Sequence, residues 1–189
     1  MERRKVFIDC NTQVDYCLFG GNRYGSYVEG SNKILDNLDE LTNHAVRKKI
    51  LVVGSVKTNN YTSKYCVKGT NGWMKVHETY IKKCIYIPNI KTDSFSLPEL
   101  QSVWFETDSN SMFSNPNIEH IFNQIEIDHD TDFFIYGIMP SQTIHDFLNV
   151  KTNKYSWMDG NTITLISDAY SPVEVRNIKT ITTKEILNQ

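Results

Sequence analysis

Apolar residues along the chain fall into two alternating patterns, short continuous runs and longer stretches with helical spacing. KVFID at 5–9 is an apolar run closing on a carboxylate and followed by polar residues and the Gly20–Gly21 pair, the signature of a buried strand opening into a loop. From Ser31, a residue suited to capping, Ile34, Leu38, Leu41 and Ala45 recur at the spacing of one helix face, which predicts a helix to about Lys48. ILVVG at 50–54 is apolar on both faces, as in the middle of a parallel sheet covered by helices on each side.

The alternation continues with candidate strands CIYIP at 84–88 and VWFE at 103–106. Asn115 as cap and Pro116 at the first helical position then predict a helix burying Ile118, Ile121, Phe122 and Ile125. FFIYG at 133–137 and TITLIS at 162–167 read as strands flanking a helix from about Thr143 to Val150, and Thr182 with Glu185 forms a capping box for a last short helix. The pattern specifies a single α/β domain over 1–189: an open, mostly parallel sheet with helices on both faces and right-handed crossovers. Sites in such sheets lie at the carboxyl ends of strands, here Asp9, Ser55–Lys57, Glu106–Thr107 and Gly137–Thr143.

Charge and composition narrow the function. The 20 Lys and Arg against 22 Asp and Glu give a net charge of −2, and the only basic clusters are Arg3–Lys5 and Arg47–Lys49, which argues against nucleic-acid binding. No apolar run approaches a membrane span and the MERRK start lacks a signal-peptide core, so a cytoplasmic, membrane-free protein is expected. Cys10, Cys17, Cys66 and Cys84 lack metal-ligand spacing and are expected as reduced thiols; His44, His77, His120, His129 and His145 are scattered.

FIDCNTQVDYCLFGG at 7–21 resembles the opening of the isochorismatase and nicotinamidase group of cysteine hydrolases. Segments at 27–42, 65–79 (YCVKGTNGWMKVHET), 113–122 (FSNPNIEHIF), 136–144 (YGIMPSQTI) and 166–170 (ISDAY) resemble later parts of that family in the same order, so the likeness covers nearly the whole chain. It implies a Rossmann-like three-layer fold and, in active relatives, hydrolysis of amides or vinyl ethers; the amidases use Cys, Lys and Asp, commonly beside a metal held by Asp and His. In that set a thiolate attacks, the carboxylate moves a proton, the ammonium stabilises negative charge and backbone N–H groups receive the oxyanion.

Asp9 matches the catalytic Asp, but Thr143 stands where the nucleophilic Cys belongs and Thr107 where the Lys belongs. A threonine hydroxyl needs a dedicated strong base, and His145, two residues further on, is placed to point away. The oxyanion donors fall on Met139 and Thr143, with Pro140 removing one N–H from the turn. The metal segment reads Lys57, Thr58, Asn59 and Tyr65, without imidazoles, so neither a metal nor another cofactor is expected.

The implied reading is a catalytically inactive member of the fold acting as a binding or assembly component, as a homo-oligomer or with a protein partner. The competing readings are an amide hydrolase with a rebuilt site using Asp9 with Thr143, Ser141, Cys10 or Cys66, and a pocket binding a small aromatic molecule between Tyr16, Phe19, Lys57, Tyr65, Trp73 and Trp104. Deprived of the metal and the catalytic Lys, a buried Asp9 needs a positive neighbour, and Lys57 is the candidate. The alternative is a solvated Lys57 with Asp9 held by backbone N–H groups and Thr or Asn side chains.

Overall fold

In the computed structural model, residues 3–18, 28–92, 94–95, 101–125, 127, 130–153, 160–171 and 178–189 are described. Seven strands form one sheet: β1 (Arg4–Cys10), β2 (Leu51–Lys57), β3 (Cys84–Ile87), β4 (Ser102–Thr107), β5 (Thr131–Ile138), β6 (Thr162–Ser171) and β7 (Lys179–Ile181). Their order is β3-β4-β2-β1-β5-β6-β7 and every pairing is parallel. The chain runs outward from β1 through β2 in one direction, then returns to place β5 on β1's other side. The carboxyl ends of β1 and β5 therefore flank the crevice where doubly wound sheets bind ligands.

Helices α2 (Leu35–Lys48) and α5 (Thr183–Leu187) cover one face, packing Leu38, Leu41, Ala45 and Ile186 on Phe7, Val52, Trp104 and Tyr136. Helices α3 (Ile118–Gln124) and α4 (Ser141–Asn153) cover the other, packing Ile118, Ile121, Phe122, Ile144 and Phe147 on Val6, Ile8, Val53, Phe105 and Phe133. Both faces of β1 and β2 are thus dry, as their unbroken apolar runs require. A short α1 (Val14–Cys17) sits just beyond β1. Among the described residues no helix is long and apolar enough to cross a membrane.

Most expected elements form, and the Thr182–Glu185 capping box is complete. Three details differ. Ser31 does not cap α2: residues Ser31–Ile34 form a 3-10 turn, and the Ser31 hydroxyl donates to the carbonyls of Tyr16 and Cys17 at 3.0 and 3.2 Å, tying the helix entry to α1. Asn115 does not cap α3, which begins at Ile118 after Asn117. Its amide instead donates to the carbonyls of Ile87, Pro88 and Glu106 at 2.8–3.1 Å, stapling the ends of β3 and β4 together. Strand β7 is too polar and short to announce itself.

Candidate functional site

Asp9 lies one residue before the end of β1, in register with Gly54 on β2 and Tyr136 on β5, while Gly54 is in turn level with Trp104 on β4. Residues in register share a face, so this row crosses the sheet beneath the loops after β1 and β2. A Cβ at Gly54 would lie 2.6 Å from the Trp104 ring and 2.3 Å from the Asp9 carbonyl oxygen. Only glycine there lets the indole lie across β2 toward Asp9.

The charge opposite Asp9 comes from Lys75. Residues 74–76 run antiparallel to 12–14, with Val14 N–H donating to Met74 O and Val76 N–H to Thr12 O, both at 2.9 Å. This pairing delivers the Lys75 ammonium to 3.0 Å from Asp9 Oδ2. The ammonium also donates to Thr12 Oγ1 at 3.0 Å and stands 4.4 Å above the centroid of the Trp104 ring. Thr12 spends its single hydroxyl proton on Asp9, whose two oxygens lie at 2.7 and 2.9 Å. Thr79 Oγ1, 2.8 Å from Thr12 Oγ1, is therefore the donor in that contact. Both charged side chains are 0 % exposed. Burial of this kind is tolerable because carboxylate and ammonium are paired and hydrogen-bonded, with a desolvated aromatic face completing the ammonium's shell.

Lys57 is not the partner. Its ammonium donates to the backbone carbonyl of Asp108, while its own backbone is clamped by Gln13, whose Oε1 accepts from Lys57 N–H at 2.7 Å and whose Nε2 donates to Lys57 O at 2.9 Å. The expectation that Asp9 leans on a threonine holds in Thr12, but the countercharge comes from Lys75, within the segment at 65–79 whose resemblance assigns it no role. The signal was a lone lysine within the otherwise apolar WMKV.

The positions matching the family's other catalytic groups are turned elsewhere. The buried Thr107 hydroxyl donates to Ser109 O at 2.8 Å. The buried Thr143 hydroxyl reaches Asn110 O at 3.4 Å and lies against the Cys10 thiol, on the sheet face opposite Asp9. The sharp turn between β5 and α4 is present, with Gly137 at φ 106° and Met139 at φ 50°. A Cβ at Gly137 would meet Cys10 O at 2.3 Å, so the turn is pressed directly onto β1. Thr143 falls in the first turn of α4, whose N–H groups lack intrahelical acceptors.

Burial pushes the Cys10 and Cys66 thiols up to about 12 and raises Cys17 and Cys84 as well. His145 is exposed beside Asn149, away from Asp9.

Among the proposed pocket residues, Tyr16 and Trp104 belong to the core, Tyr16 packing on the half-buried Tyr65 at 6.1 Å. Trp73 is half-buried, packs at a tilt against Tyr86 with centroids 5.1 Å apart and donates its indole N–H to Thr58 Oγ1 at 2.9 Å. Phe19 lies outside the described residues.

The donor set at the segment matching the family's metal loop does not suit a metal ion. Lys57 presents an ammonium, Asn59 directs its amide to Tyr65 O, and Asp9 is engaged by Thr12 and Lys75. Among the described residues, no three His, Cys, Asp or Glu side chains converge.

The parallel seven-stranded sheet with helices on both faces and a tight turn into α4 is a doubly wound α/β fold. No protein-family model and no curated protein matches the sequence. Solved structures do share the fold. An isochorismatase-like hydrolase from Alkaliphilus metalliredigens has a TM-score of 0.67 at 14% identity, covering 98% of both chains. A cysteine hydrolase from Pseudomonas syringae pv. phaseolicola has a TM-score of 0.69 at 12% identity, covering 98% of this chain and 91% of that one. A nicotinamidase/pyrazinamidase from Bacillus subtilis has a TM-score of 0.61 at 14% identity, covering 89% of this chain and 86% of that one.

Proposed function

We propose that this chain is a non-catalytic member of the isochorismatase and nicotinamidase group, serving as a binding or assembly component. The observation that carries the reading is the placement of the Thr143 hydroxyl, which meets Asn110 O and the Cys10 thiol on the sheet face opposite Asp9, while the Asp9 carboxylate is engaged by Thr12 and Lys75. The carboxylate so engaged lies on the other face from position 143, and among the described residues no base contacts the hydroxyl there.

The purified protein is expected to release no ammonia from nicotinamide above the buffer rate, since losing the nucleophile from a cooperative catalytic set costs on the order of a millionfold. Ammonia release that vanishes in Asp9→Ala would overturn the reading.

One observation favours the rebuilt hydrolase: Lys75 returns an ammonium to Asp9, and the Cys10 thiol is its immediate chain neighbour. Burial of that thiol weighs against it. All four cysteines are expected to react with iodoacetamide near neutral pH far more slowly than in urea, roughly a thousandfold for a thiol raised as Cys10 is. One rapidly alkylated cysteine in the folded protein would favour the hydrolase.

Self-association is part of the proposal. Aromatic residues make up 12% of the chain, and Tyr61 and Ile90 are 89% and 73% exposed. An exposed tyrosine and an exposed large aliphatic side chain suit an interface core. Sedimentation at micromolar concentration should show a species larger than 21.9 kDa. A monomer alone would leave a different protein as the partner.

A further inference from the structure

The two basic clusters of the sequence, Arg3–Lys5 and Arg47–Lys49, are separated by about forty residues of chain, yet the fold brings them to one place. The first opens β1 and the second ends α2, so both lie at the amino-terminal edge of the sheet, at the opposite end of β1 from Asp9. Between them is an open cleft of ≈ 360 Å³, lined by Arg3, Arg4, Lys5, His44, Lys48 and Lys49 over a floor that includes Ile50 and Leu51. The remaining described lining residue is Gln189, and no Asp or Glu side chain is among them. Arg3 is committed to Asp132 at 2.7 Å and Asp130 at 3.5 Å, but Lys5, Lys48 and Lys49 have no carboxylate partner among the described residues.

We propose that this cleft binds a small phosphorylated molecule, its phosphate held by Lys5, Lys48 and Lys49, with His44 as a hydrogen-bonding group in the wall. Complementing the carbonyl end of α2 accounts for Arg47 and Lys48 without any ligand. It does not account for Lys5, which comes from a strand and is half-buried in the same concavity. His44 is 5 % exposed and stacks on Phe7 with centroids 6.3 Å apart, so its ring is fixed rather than solvated. Burial and the cations Arg47, Lys48 and Lys5 hold its imidazole below the usual range, favouring the neutral ring that can accept as well as donate. The volume falls within the range of small-molecule sites, roughly 300–1,000 Å³. The overall charge of −2 and the bounded shape favour a compact anion over a nucleic-acid strand.

Calorimetric titration of the whole protein with inorganic pyrophosphate at low salt tests the site. Saturable one-to-one binding is expected, weakened about tenfold or more in Lys5→Gln/Lys49→Gln and unchanged in Lys64→Gln/Lys91→Gln, which removes the same charge elsewhere. Lys48→Gln, at an exposed helix end, gives an independent variant if the first pair unfolds. Heat that never saturates at millimolar pyrophosphate, or equal weakening in both charge-matched pairs, would overturn the proposal. So would tighter binding of a single-stranded oligonucleotide with the same dependence on Lys5 and Lys49.

Discussion

Replacing Lys75 with methionine is expected to destabilise the protein by about 3–5 kcal/mol, the cost of leaving one member of a buried ion pair uncompensated. Asp9 and Lys75 are each 0 % exposed at 3.0 Å, so water cannot substitute for the missing ammonium. Methionine fills much of the space but cannot donate to Asp9 or Thr12, and the Trp104 ring loses its cation. The double replacement Asp9→Asn/Lys75→Met should recover most of the loss, because the buried negative charge goes with its partner. Urea unfolding of the wild type, Lys75→Met, Asp9→Asn and the double variant yields the coupling energy directly. A loss under about 1 kcal/mol, the level of exposed pairs, would mean that Asp9 is solvated.

Gly54→Ala should cost about 3 kcal/mol, at the upper end of ordinary overpacking. The added methyl would lie 2.3 Å from the carbonyl oxygen of Asp9 and 2.6 Å from the Trp104 ring. The ring can shift only by leaving Lys75, and the carbonyl only by distorting the β1–β2 pairing. Combining Gly54→Ala with Trp104→Leu should restore less than the full loss, because the backbone clash persists. Full additivity of the two changes in thermal or urea unfolding would show that the indole does not lie across Gly54.

These two residues illustrate where sequence reading stopped. Gly54 was readable as the end of ILVVG, a strand in the sheet's middle, but its closeness to Asp9 and Trp104 depends on register between strands distant in the chain. Lys75 sits in the segment at 65–79, and no local pattern announces that 74–76 will pair with 12–14. Lys57 is the candidate because it falls where the resemblance places the family's metal ligand, yet its side chain turns to Asp108.

The sequence by itself determined the architecture: continuous apolar runs such as KVFID, ILVVG and FFIYG require burial on both faces, and helical spacing between them requires helices to cover the sheet. It also determined that positions 107 and 143 carry threonine, because residue identity needs no coordinates. Only the tertiary structure decided which ammonium neutralises Asp9, that Asn115 staples two strands instead of capping α3, and that the two basic clusters share one cleft. Burial periodicity is a local property, set by whether each residue faces water. Charge pairing in a dry interior is non-local, set by which distant segments strand register and loop pairing bring within about 3 Å, the reach of a hydrogen bond.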